Sequence, residues 1–164
     1  MPNPEITTIL EMIDQAFDRR SWHGTNLKGS IKGMTPEQAA WRPGPGRHNI
    51  WELTVHAAYW KYIVRRRLLG EEKGSFPLKG SNWIERPSAN DFSESAWKAD
   101  VKLLTDTHKT LRQAIAELKP AQLHQTPKGS KVSNFSMVVG IAAHDLYHAG
   151  QIQIIKRLRP PGES

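Results

Sequence analysis

Apolar residues recur at three- and four-residue intervals through four long stretches of this chain, which predicts helices, and no stretch alternates as a strand would. The first helix opens after Asn3-Pro4, with proline at an early position where its missing N–H costs nothing. Its buried stripe is Ile6, Ile9, Leu10, Ile13, Ala16 and Phe17, and the pattern extends more weakly through His23, Leu27 and Ile31 past Gly24 and Gly29. Thr35-Pro36-Glu37 reads as a short capped helical turn, and Arg42-Pro43-Gly44-Pro45-Gly46 cannot continue a helix. The second long helix runs from Asn49 to Gly70, where Asn49 and Glu52 resemble a capping box. Its inward stripe is Leu53, His56/Ala57, Trp60 and Ile63/Val64. About twenty irregular residues follow, from Glu71 to Asp91, a length that suits a crossover from one end of a bundle to the other. The third helix spans Ser93 to about Leu118, with Trp97, Val101, Leu104, His108, Leu111, Ile115 and Leu118 on one side. The fourth spans Asn134 to Leu158 and turns Met137, Ile141, His144, His148, Ile152 and Ile155 inward. The expectation is an all-α four-helix bundle in a single domain, residues 1–164, with a long crossover between the second and third helices.

Composition narrows the chemistry. The chain has no cysteine, so thiolate metal sites, disulfides and a cysteine nucleophile are excluded, and histidine and carboxylate are left as metal ligands. No apolar run reaches membrane-span length and the N-terminus has no signal-peptide pattern, which sets a cytoplasmic location as the default expectation. The formal charge is +7. The one dense basic cluster is Lys61 with Arg65, Arg66 and Arg67, read as a solvated face complementing a helix C-terminus. A nucleic-acid partner therefore ranks last, since one basic segment is not a continuous footprint.

Three of the seven histidines stand out. His144 and His148 lie four apart, one above the other on a helix and close enough to share an ion. Both fall on the apolar stripe of their helix, and His56 falls on the stripe of another. Buried imidazoles need hydrogen-bond partners or a metal, because an unsatisfied buried polar group costs about 1–3 kcal/mol. From spacing alone, one shared ion and three separately satisfied core histidines stand as equal readings. His23 and His108 also lie near inward stripes and read as core histidines, although His23 can line a pocket. His48 reads as exposed, and His124 carries no signal.

The segments Asn49-Ile50-Trp51-Glu52-Leu53-Thr54-Val55-His56 and His144-Asp145-Leu146-Tyr147-His148-Ala149-Gly150-Gln151 make the sequence similar to the DinB-like superfamily, including the YfiT-like proteins and bacterial thiol-dependent S-transferases. Thr35-Pro36-Glu37-Gln38, the Arg42-Pro43 turn and Trp97 at the head of the third helix resemble the family too. The resemblance covers essentially the whole chain, and all three histidine positions of the family's pattern are filled.

What the resemblance implies is specific. The path would be up-down-down-up and the protein a homodimer. His56, His144 and His148 would hold zinc or nickel with at least one coordination position open. Glu52, one turn before His56, and Gln151, three residues after His148, are candidates to receive the ligands' other ring N–H, and Trp60 to shape the pocket wall. The expected activity is a metal-dependent thiol S-transferase or hydrolase acting on a small molecule, with no catalytic residue named. The alternative is a non-catalytic metal-binding or stress-response bundle.

Overall fold

The computed structural model describes residues 3–88 and 91–161, and every regular element among them is helical. Four helices are long: α1 (Pro4–Phe17), α4 (Ile50–Leu69), α5 (Glu94–Ala116) and α7 (Asn134–Leu158). Three are short: α2 (Leu27–Ile31), α3 (Pro36–Ala40) and α6 (Pro120–Leu123). None is long and apolar enough to cross a membrane.

Side-chain caps start the helices where the sequence places them. Asn3 accepts from the backbone N–H of Glu5 and Ile6, and Thr35 and Gln38 form a reciprocal capping box at α3. Asn49 and Glu52 do the same at α4, which stops at Gly70 in the left-handed conformation (φ +67°) that glycine adopts without strain. The first helix is shorter than its extended pattern suggested. It ends at Phe17, and after a turn containing Gly24 (φ +102°) the chain begins α2 as a separate element, capped by Asn26. The third long helix ends at Ala116, two residues before its apolar pattern does, and Pro120 starts α6, an element that periodicity missed.

Pairs of side chains show how the long helices lie. Trp51 of α4 donates to Asp100 of α5 at 2.6 Å and packs edge-on to Trp97, so α4 and α5 meet near their N-terminal ends. Asp14 of α1 holds Arg112 of α5 at 2.6 and 2.9 Å. Lys61 of α4 meets Asp145 of α7 at 2.5 Å, with both side chains 1% exposed. Lys61 is thus not part of a solvated basic face. At four residues from Ala57 and three from Val64 it lies on α4's inward stripe, and only Arg65–Arg67 continue outward. Burial pushes the Asp145 carboxyl upward, and the adjacent ammonium opposes that shift.

The core has two contiguous apolar clusters. One gathers Phe17, Leu27, Trp51, Trp97, Leu104 and Ile152, and the other Ile9, Ile13, Leu111, Ile115, Leu123 and Val138. The N-terminal half of α4 is enclosed on every side, with Ile50 through Ala58 all buried, because α3, α5, α7 and the crossover surround it. His108 is a core histidine, stacked on Phe17 at 3.7 Å with its Nδ1 unbonded. Burial, aided by the nearby Lys61 and Arg112, pushes its pKa down to about 2.

That shift has a direction for stability. Unfolded, His108 gains a proton near pH 6.5, whereas folded it resists until about 2. The unfolded state therefore binds more protons across this window, and stability falls as pH drops below 6.5. Chemical denaturation of the metal-free protein is expected to show a shallower loss between pH 6.5 and 4 for His108→Phe than for the wild type. The limiting difference is about 1.4 kcal/mol per pH unit.

Candidate metal centre

α4 and α7 bring three imidazoles to one point. His56 lies two turns into α4, and His144 and His148 follow one another along α7. The Nε2 of His144 stands 3.1 Å from that of His56 and 2.9 Å from that of His148. His56 and His148 are 5% and 3% exposed, and His144 is half-buried. The group can hold a metal ion.

The outer nitrogens explain why the inner ones converge. His56 Nδ1 lies 3.0 Å from the backbone oxygen of Asn82, which can only accept, so this nitrogen carries the hydrogen. His148 Nδ1 lies 2.6 Å from Gln151 Oε1 and is assigned the same way. Burial lowers all three pKa values, that of His56 to about 4 and that of His144 to about 3. The rings are therefore neutral at pH 7, and each carries one hydrogen. His56 and His148 then both aim Nε2 lone pairs at the Nε2 of His144. A single N–H there can serve only one of them, so hydrogen bonding alone leaves a buried acceptor facing another nitrogen. A cation shared by three lone pairs satisfies all of them, and the donor set fits a zinc- or nickel-type ion. The Nδ1 of His144 is buried without a partner, so no outer bond dictates that ring's tautomer.

Aromatic rings surround the trio. Trp83 stacks on His56 with ring centres 3.8 Å apart, Trp60 stands edge-on to both His56 and His144, and Tyr147, largely exposed, stands edge-on to His148. Trp60 also donates to Asn82 Oδ1 at 2.9 Å. Gln151 and Trp60 thus touch the ligand rings. Glu52 does not. It is committed to Arg42, to His48 (3.0 Å) and to the α4 cap, and His56 turns to Asn82 instead. Burial works to raise the Glu52 carboxyl, but the bonds from Arg42 and His48 outweigh it and hold the pKa below its usual value. His23 is also absent from the site. It lies exposed in the turn after α1, 3.3 Å from Ser21 Oγ, because the helix that would have carried it inward ends at Phe17. His124 stands at the end of α6, paired with Glu5.

Asn82 and Trp83 are the contributors that sequence reasoning missed. They lie in the aperiodic crossover, where only the turn-forming run Gly80-Ser81-Asn82 signals anything, and that signal names no partner.

The model of the DinB superfamily matches residues 20–152. The chain belongs to the DinB superfamily. The match spans both α4 and the paired histidines of α7, so the whole candidate site lies inside the family region. No curated protein and no solved structure matches this DinB-superfamily chain.

His144 is the ring on which the other two converge, so it is the most sensitive position. The His144→Ala protein is expected to keep its helical circular dichroism but to show no stoichiometric binding of a divalent metal in equilibrium dialysis. Retention of one equivalent would refute the assignment.

Proposed function

We propose that this DinB-superfamily protein is a metal-dependent enzyme, a thiol S-transferase or a hydrolase, working through zinc or nickel held by His56, His144 and His148. The observation that supports this most directly is the convergence of three neutral Nε2 atoms, with two of the outer nitrogens already bonded. Three histidines leave a coordination position open, as catalytic rather than structural sites do. The ion, when bound, would supply a Lewis acid able to lower the pKa of a coordinated water or thiol.

The chain's own residues do the rest. Asn82 and Gln151 hold hydrogen on the outer nitrogens and so keep the inner lone pairs available. Trp60, Trp83 and Tyr147 give the surroundings of the three rings an aromatic, uncharged lining. The +7 charge favours approach of an anionic small-molecule thiol. The helix pairings support an up-down-down-up path: α5 meets α4 N-terminus to N-terminus, while Lys61 and His56 of α4 meet Asp145 and His148 of α7, so α7 runs opposite to α4.

A homodimer is part of the proposal. α7 leaves Ala143, Tyr147, Gly150, Ile154 and Leu158 exposed at three- and four-residue spacing, and nothing lies within 4 Å of a Cβ built on Gly150. A second copy's helix can approach closely along such a stripe. Ile154→Glu is expected to shift the protein to monomer in sedimentation velocity, and a monomeric wild type would remove the dimer from the proposal.

Two measurements test the enzymatic reading. Protein purified without tag or added metal should contain about one zinc or nickel per chain, and saturating metal should raise its thermal midpoint, since a ligand of the folded state stabilises it. The loaded protein should turn over low-molecular-weight thiols with electrophiles, or hydrolyse a screened ester or amide, and lose this activity with a chelator. A loaded site that binds neither azide nor thiol would instead establish a bracing, non-catalytic metal.

A further inference from the structure

The crossover between α4 and α5 grips His56 from two directions. Asn82 adopts the left-handed conformation (φ +56°), where asparagine is enriched among non-glycine residues. That turn places its backbone oxygen on His56 Nδ1 and its side-chain oxygen on Trp60. The next residue, Trp83, lies flat against His56, with ring centres 3.8 Å apart and planes 8° apart. Its other face is covered by His48, at 3.6 Å and 7°. His48 is held by Glu52, and Glu52 by Arg42 and the α4 cap. The indole is therefore a flat layer between two imidazoles, one just before α4 and one two turns inside it. Past the tip, the crossover is tied down at Arg86, whose guanidinium bonds Asp100 at 2.5 Å and whose carbonyl accepts from Asn49 at 2.7 Å.

Core packing does not account for this placement. Trp83 is 38% exposed and Asn82 lies on the surface. An imidazole on a helix still rotates about its terminal torsion, whose energy wells are broad. The Asn82 carbonyl chooses the tautomer of His56, and a parallel indole restricts the plane of its ring. We infer that Trp83 is a positioning residue that fixes the ring plane of His56, so that the crossover tip sets the affinity of the three-histidine centre for its ion. This rests on the metal reading above, and it adds that a segment outside the helices controls the site.

The test is zinc affinity, measured with Zn2+ alone by competition against a chromogenic chelator. Loss of an outer partner of a metal ligand typically weakens binding by about tenfold to a hundredfold, and that is the loss expected for Trp83→Ala. Trp83→Leu keeps bulk without a flat face and should fall with it. Trp83→Phe, which restores a flat ring, should stay within about threefold of the wild type, a margin below the usual effect of losing such a partner. Asn82→Gly retains both the carbonyl and the left-handed turn and should also stay there. In metal-free protein, the His56 Nδ1–H proton resonance should broaden in Trp83→Ala and Trp83→Leu but persist in Trp83→Phe. Equal affinities for the leucine and phenylalanine variants would overturn the inference, and that pair decides the matter even if the alanine variant fails to fold. A wild type that binds zinc while all Trp83 variants bind equally well sinks only this inference, whereas a wild type that takes up no metal sinks the metal reading itself.

Discussion

The contact between α4 and α7 is built on buried polar groups that have to meet one another. Lys61 and Asp145 meet where water is excluded, and five residues earlier on α4 His56 meets His144 and His148. Taking an ion out of water costs several kcal/mol even after relaxation, and removing one partner of a buried pair typically costs about 3–5 kcal/mol. A slide or rotation of α7 along α4 would break both sets of contacts together. Apolar packing resists such slides through shape alone, whereas these polar groups also need particular partners. Polar contacts inside the apolar core thus add specific pairings to the register of the two helices.

The two sets are not alike. Lys61 with Asp145 is a pair that the protein completes by itself, apart from one unbonded carboxylate oxygen on Asp145. The histidine trio is not complete. Two of its rings have their outer nitrogens bonded and their inner lone pairs directed at a third nitrogen. A core built only for stability would bond such groups or replace them with apolar ones. Incompleteness held in place by good outer bonds is what a ligand-binding centre requires, and the trio could hold a metal ion.

The crossover completes the arrangement from outside. The connection between α4 and α5 is long, and part of it folds back over His56. One residue of it reaches His56 through a backbone oxygen and the next through an aromatic face. The same segment is buried at Arg86 against Asp100 and Trp51, three residues past Trp83.

The four long helices, the caps at Thr35 and Asn49 and the histidines were legible in the sequence because they obey short-range rules. A period of three to four positions, an asparagine three residues before a glutamate, and two histidines one turn apart are all encoded between near neighbours. Gln151 was legible as a partner for His148 for the same reason, lying one turn away. That same rule offered Glu52 two roles, and it fills the α4 cap rather than serving His56, because Arg42 and His48 hold its carboxylate there. His23, read as a core histidine that could line a pocket, is exposed instead, because the weaker extension of the first helix past Gly24 does not form. Lys61 was grouped with its basic neighbours because nothing local shows that Asp145, 84 residues away, waits inside the core. Asn82 and Trp83 left almost no trace, since an aperiodic segment says where the chain turns but not what it lies against. Local spacing determined which residues could share a face. Only the tertiary fold decided which of those faces met, because contacts between distant residues depend on how helices pack and on which buried polar groups find partners first.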